Sequence, residues 1–181
     1  KMGYAIARAA EHRGADTTLV SGPSVLSDPP GVTVVRVQTA REMHRTVRER
    51  APDSDVVIKA AAVSDYRTRE SVAHKRKKSR DTLSLELVKN PDILKELGRQ
   101  KWCREKRRQV LVGFAAETER LHAHAVTKLR EKNLDLIVGN IVGQAGSGFQ
   151  ADTNRVTLFH ADGSQESLAS MAKEAVAEAV L

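Results

Sequence analysis

Short β-branched runs alternate with stretches of helical period along this chain, and that alternation restricts the fold more than any other feature. Val56-Val57-Ile58 and Val110-Leu111-Val112 have the length and branching of buried strands, and Leu136-Ile137-Val138 repeats the pattern. Between them, apolar residues recur at helical spacing. A chain patterned in this way folds as an α/β domain around a largely parallel sheet.

Read in order, residues 3–13 form a helix that buries Ala5, Ile6, Ala9 and Ala10 and stops at Gly14. Strands follow at 17–20 and 32–37, separated by a loop rich in proline and glycine. Thr39 with Glu42 three residues on is a capping-box pattern, and it opens a helix ending near Arg50 with Met43 and Val47 facing inward. Val56-Val57-Ile58 is a central strand that runs into the small-residue turn Ala60-Ala61-Ala62-Val63. A basic loop comes next, then a strand suggested by the alternation of Leu83, Leu85 and Leu87. Asn90-Pro91-Asp92 reads as an N-cap, a first-turn proline and a first-turn acid, opening a helix to about Gln100. Strands at 110–112 and 136–138 flank a helix at 119–132 that stops at Asn133. Residues 143–148 read as a flexible glycine-rich loop. A strand at 155–160, a turn at Ala161-Asp162-Gly163 and a helix at about 168–180 complete the chain.

With 181 residues the chain is long enough for one domain with a hydrophobic core, and residues 1–181 are read as one unit. No apolar run approaches the ~18 residues of a membrane span, and no signal-peptide pattern opens the sequence, so a soluble cytoplasmic protein with no membrane partner is expected. The formal charge of +7 and the pI near 9.8 point to an anionic partner: a nucleotide, a phosphorylated metabolite or a nucleic acid. A single cysteine, Cys103, makes no internal disulfide. His12, His44, His74, His122, His124 and His160 have no zinc-site spacing, and none is given a catalytic role.

Four segments converge on one end of such a sheet, where ligands of open α/β folds bind outside the carboxyl ends of the strands. They are Ala60-Ala61-Ala62-Val63-Ser64-Asp65-Tyr66, Lys75-Arg76-Lys77-Lys78, Lys89-Asn90-Pro91-Asp92-Ile93 and Gly113-Phe114-Ala115-Ala116-Glu117-Thr118. Small residues let a ligand approach the backbone closely, so main-chain groups can read a base edge. Asp65 can hold Mg²⁺, which takes one or two carboxylates together with phosphate oxygens and water. Lysines supply point charge for a triphosphate, and the helix start at Asn90-Pro91 adds main-chain donors and a positive dipole end.

In this order, and with Lys132-Asn133-Leu134-Asp135 after them, these motifs closely resemble phosphopantothenoylcysteine synthetase, the domain usually fused behind a decarboxylase in the bacterial bifunctional coenzyme A protein. The resemblance covers essentially the whole chain. It implies a Rossmann-like α/β fold, with a mostly parallel sheet flanked by helices and a β-hairpin extension. It also implies CTP-dependent joining of 4'-phosphopantothenate to L-cysteine through an acyl-cytidylate, with Mg²⁺ accompanying CTP. Lys59, Ala60 and Ala61 match a main-chain nucleotide-contact stretch, and Asp65 matches the CTP-site aspartate and metal ligand. Lys75 matches the lysine that serves the triphosphate and the activation step, the one catalytic assignment. Pro91, Asp92, Ile93 and Leu94 match a second nucleotide-contact stretch, and Phe114, Lys128 and Lys132 match further CTP-site positions. The family often has glycine where this chain has Lys59. A homodimer is implied as well, with the strand at 156–159 and its hairpin expected at the contact.

The sequence opens directly on a helix, whereas the family places an asparagine and a Ser-Ser-Gly turn just before Lys1-Met2-Gly3. The first strand and the phosphate-binding turn are therefore expected to be missing here, and adding that lead-in is expected to raise turnover. A decarboxylase domain belongs to the full-length protein, and its activity is not expected of this chain. Two rival classes fare worse. A nucleic-acid-binding domain would use the basic runs, but one tryptophan, two tyrosines and three phenylalanines leave little for base stacking, so no nucleic-acid partner is expected. A nicotinamide oxidoreductase would carry a G-x-G-x-x-G turn, and none is present.

Overall fold

The structure is a computed structural model, and it describes residues 1–70, 82, 84–101, 103–104, 107–117, 119–141 and 151–181. The chain runs α1 (Met2–His12), β1 (Thr18–Ser21), β2 (Thr33–Arg36), α2 (Ala40–Arg50), a 3-10 turn (Ala51–Asp53) and β3 (Val56–Lys59). It continues with β4 (Tyr66–Thr68), β5 (Leu87–Lys89), α3 (Ile93–Gln100), β6 (Cys103–Arg104), β7 (Arg107–Arg108) and β8 (Val110–Glu117). The last part holds α4 (Leu121–Glu131), β9 (Leu136–Ile141), β10 (Thr153–Asn154), β11 (Thr157–His160), β12 (Gln165–Ser167), β13 (Met171–Ala172) and α5 (Lys173–Val180).

The central sheet has five strands in the order β12-β11-β9-β8-β3. β3, β8 and β9 are parallel, in the register Val56↔Val110 and Val112↔Leu136. β11 then runs antiparallel to β9, and β12 antiparallel to β11. The sheet is thus mixed, a correction to the mostly parallel sheet expected. The tight turn around Gly163, at φ +90°, makes β11 and β12 the expected hairpin, and that hairpin joins the parallel strands with β11 antiparallel to β9. β1 and β2 form a separate parallel pair instead of extending this sheet.

Strand alternation sorts side chains onto two faces. Leu111, Ala115 and Ile137 pack with Met43 of α2, Ile93, Leu94 and Leu97 of α3, and Ala125 and Leu129 of α4. Val112, Leu136, Val138 and Leu158 pack with Val176 and Val180 of α5 on the other face. Ala5, Ile6 and Ala9 of α1 join Ala177 beside them, and Arg13, just past the end of α1, binds Glu178 of α5 at 2.8 Å. Helices therefore cover both faces, as the pattern of short strands and amphipathic helices predicts.

Several boundaries move. Thr39 caps α2 as expected, accepting from the Glu42 amide, while the Glu42 carboxylate accepts from Gln38 N. Asn90 is not the cap of α3: Asp92 is, its carboxylate accepting from Lys95 N at 3.1 Å, and Pro91 lies before the helix. The alternating leucines yield a strand only at Leu87, since residues 84–86 are not extended into a ladder and Leu83 lies outside the described residues. α5 starts at Lys173 because Met171 is taken up in β13, paired with Asn154 of β10. Val156, Leu158 and Phe159 are buried within the chain, so the exposed outer strand β12 is the free edge of the hairpin. No helix among the described residues is long and apolar enough to cross a membrane.

One close approach positions the site described next. Gly98 of α3 lies against the end of α4: a Cβ built on it would fall 1.8 Å from the carbonyl oxygen of Lys132. Asn133, at φ +49°, ends α4 as the sequence suggests and donates from its side chain to Gly98 O at 2.8 Å. Lys101 reaches across to Asn133 O and to the Asp135 carboxylate.

Candidate nucleotide site

A cleft of about 1010 Å³ opens at the carboxyl ends of β1, β3, β8 and β9 and at the start of α1. Its placement follows from the sheet: parallel neighbours diverge at their carboxyl ends into separate connections, and the gap between them is the binding site of open α/β folds. Lys59, Ala60, Ala61, Ile93, Phe114 and Lys128 all line it. Asp65, Pro91, Asp92, Leu94 and Lys132 do not line it. Lys75 and the residues beside it, 71–81, lie outside the described residues, as do 142–150 with the expected glycine-rich loop.

The turn after β3 is tied to the segment before α3. Asn90 donates from its side chain to Ser64 O at 2.8 Å and from its amide to Asp65 O at 2.7 Å. Arg67 donates to Asn90 Oδ1 and to Lys89 O. Asn90 is thus occupied in holding the loop, which is why helix capping falls to Asp92. The Asp65 side chain is left exposed.

Three lysines sit about this end of the sheet. Lys128 and Lys132, one helical turn apart, each meet a carboxylate: Lys128 Nζ lies 2.5 Å from Glu117 at the end of β8, and Lys132 Nζ lies 2.9 Å from Asp92 at the start of α3. Burial by itself would raise the Asp92 carboxyl, but the hydrogen bond from Lys132, the Lys95 amide and the charges of Lys132 and Lys59 hold it below the usual carboxylate range. Lys59 is half-buried and donates to Ala61 O at 3.0 Å. Burial and the neighbouring Lys132 charge lower its ammonium, offset in part by Asp92 and Asp65. Ile93 and Leu94 have their side chains in the core, so those positions can meet a ligand only through the main chain.

Glu117 also binds His124 at 2.9 Å. Its burial would raise the carboxyl, yet the hydrogen bonds from Lys128 and His124 hold it below its ordinary value of 4.5. With that carboxyl lowered, the pairing stabilises the folded chain above the ordinary value, and the contribution is lost as pH falls through the folded value. Glu117→Gln should therefore cost about 1 kcal/mol at neutral pH, a figure reduced because both partners remain well exposed. Urea denaturation should show the two proteins converging at acid pH. A gap that persists unchanged there would mean that Glu117 contributes through packing and not charge.

Sequence reasoning missed a second group on the cleft wall. The Tyr4 and Ser21 hydroxyls are 2.9 Å apart, and Arg36 donates to Tyr4. Asn140 lies 3.5 Å from Asn154, and Lys173, only 4% exposed, donates to Ala151 O. Ser21 and Asn140 stand at or next to strand ends, a position that could have singled them out. Nothing in the local sequence marks Lys173.

The family model described as DNA/pantothenate metabolism flavoprotein C-terminal domain matches residues 1–181. The chain belongs to this family. Within it, the Coenzyme A biosynthesis bifunctional protein CoaBC of Vibrio cholerae is 46% identical over all of this chain and 45% of its own length. The Bacillus subtilis protein of the same name is 47% identical over 96% of this chain and 42% of its own length. The chain thus spans less than half of these relatives. Among solved structures, the C-terminal domain of a CoaBC protein is 40% identical and superposes with a TM-score of 0.79, covering 99% of this chain and 78% of that one. A DNA/pantothenate metabolism flavoprotein from Streptococcus pneumoniae, only 20% identical, shares the fold with a TM-score of 0.78 over 99% of this chain and 84% of its own.

Proposed function

We propose that this chain is a phosphopantothenate–cysteine ligase domain that uses CTP. The observation that carries the reading is the cleft at the strand ends, lined by the Lys59-Ala60-Ala61 turn and Lys128 with Lys132 close by, in a chain 46% identical to a coenzyme A biosynthesis protein.

In the proposed reaction a carboxylate oxygen of 4'-phosphopantothenate attacks the α-phosphorus of CTP, and the bond to pyrophosphate breaks. The resulting acyl-cytidylate has a good leaving group where the free carboxylate had none. The amino nitrogen of L-cysteine then attacks the acyl carbon, loses a proton and expels CMP, leaving the amide. Lys128 and Lys132 hold the polyphosphate and offset charge as it moves onto the leaving group. Lys75 joins them on the resemblance. Main-chain groups of Ala60 and Ala61 and of the segment from Pro91 to Leu94 read the base, and Phe114 bounds the cleft.

The donor set suits Mg²⁺: Asp65 offers one exposed carboxylate, and this ion is commonly held by one or two carboxylates and the phosphates of its nucleotide. Bound there, it would neutralise phosphate charge. The same reading places the domain in the cytoplasm, behind a decarboxylase domain, in a homodimer that pairs through the hairpin edge at β12.

Competition binding against CTP is the direct test. CTP should bind at least about tenfold more tightly than ATP, the discrimination that correct against unpaired base-edge groups supports. A mixture of CTP, 4'-phosphopantothenate and L-cysteine should yield the amide and pyrophosphate. Equal competition by ATP and CTP would remove the base-reading role given to the main chain.

A further inference from the structure

We propose that the Lys59 ammonium directly binds the polyphosphate of the nucleotide and makes affinity in this cleft depend on the ligand's phosphate charge. The inference rests on the nucleotide-binding reading above and gives a side-chain role to a position that the family resemblance treats through its main chain.

The argument begins with how the three lysines are occupied. Lys128 and Lys132 are already paired with Glu117 and Asp92, so an entering anion must share them with carboxylates. Lys59 forms no ion pair with any carboxylate among the described residues, and its hydrogen bond goes to the neutral carbonyl of Ala61. An ammonium has three donors, and one is used. Phosphate oxygens can therefore take Lys59 without breaking an ion pair and can form charge-assisted hydrogen bonds, about twice as strong as the neutral kind.

The location strengthens the case. Lys59 is the last residue of β3, at the carboxyl end of the sheet, and it lines the cleft. It is half-buried beside another cation, Lys132, so its charge is poorly solvated before a ligand arrives. An anion relieves both penalties together. The side chain leaves β3 next to the Ala60-Ala61 turn, and its four-carbon stem carries the ammonium to the cleft wall, 3.0 Å from Ala61 O.

Calorimetric titration of the full chain with CTP, inorganic tripolyphosphate and cytidine tests this. Lys59→Met should weaken CTP and tripolyphosphate by about tenfold or more, the scale of one hydrogen bond to a charged group, and leave cytidine within about twofold. Lys59→Gln, which keeps a polar end without charge, should follow the methionine variant, and Lys59→Arg should stay near the parent protein. Equal losses for cytidine and CTP, or none for tripolyphosphate, would overturn the proposal and reduce Lys59 to a brace for the Ala61 loop. If tripolyphosphate binding depends on Lys59 while CTP is not preferred over ATP, the CTP reading falls and the Lys59 assignment stands. If the parent protein binds neither CTP nor tripolyphosphate, both fall.

Discussion

Gly98→Ala should destabilise the chain by about 3 kcal/mol, at or beyond the upper end of ordinary overpacking. Helix propensity alone predicts the opposite sign, since alanine in a helix interior is favoured over glycine by about 1 kcal/mol. Contact decides between them. The added Cβ would lie 1.8 Å from Lys132 O and 2.8 Å from Lys132 C, and both are backbone atoms that cannot rotate away. α3 must shift from the end of α4, which breaks the bond from Asn133 to Gly98 O and moves Lys132 off Asp92. Urea midpoints should fall, and CTP affinity should fall with them. A variant as stable as the parent would show that the two segments can separate at little cost.

Lys75→Gln should slow acyl-cytidylate formation by about 10²-fold or more, the range for removing one preorganised charge from a transition state. CTP affinity should change much less, because the charge it answers develops as pyrophosphate leaves. Arg76→Gln should be nearly silent. Single-turnover pyrophosphate release, with CTP binding measured in parallel on a chain that carries the family's lead-in residues, separates the two. Similar small effects at both positions would make this basic stretch a solvated run. Lys75 is outside the described residues, so this expectation rests on the resemblance.

The alternation of strand and helix patterns was sufficient to read the layered α/β architecture, because burial on a parallel strand and on one helix face each leaves a distinct period. Direction in the sheet was harder to read. Nothing local distinguishes a strand that adds parallel from one that returns, and Thr157–His160 was settled by its pairing with β9. Helix starts failed for a related reason. Asn90 and Asp92 are both good caps, and the choice turned on Ser64 and Asp65, more than twenty positions away in sequence, claiming Asn90. Lys128 and Lys132 came from the resemblance; one helical turn apart, they meet Glu117 and Asp92. Lys173 was not legible, since its burial is imposed by the chain from β10 onward folding back on the cleft wall.

The packing of the first helix against the last has a consequence for how the chain is made. Arg13 and Glu178 are 165 positions apart, so at ~5–20 residues per second the ribosome needs on the order of ten seconds or more to supply the partner of α1. Through that interval Ala5, Ile6 and Ala9 have no Ala177 to cover them. Until α5 has emerged, the nascent α1 segment, covered on that face only by Ile58, Ala60 and Phe114, should therefore be a client for chaperones that recognise short apolar helices.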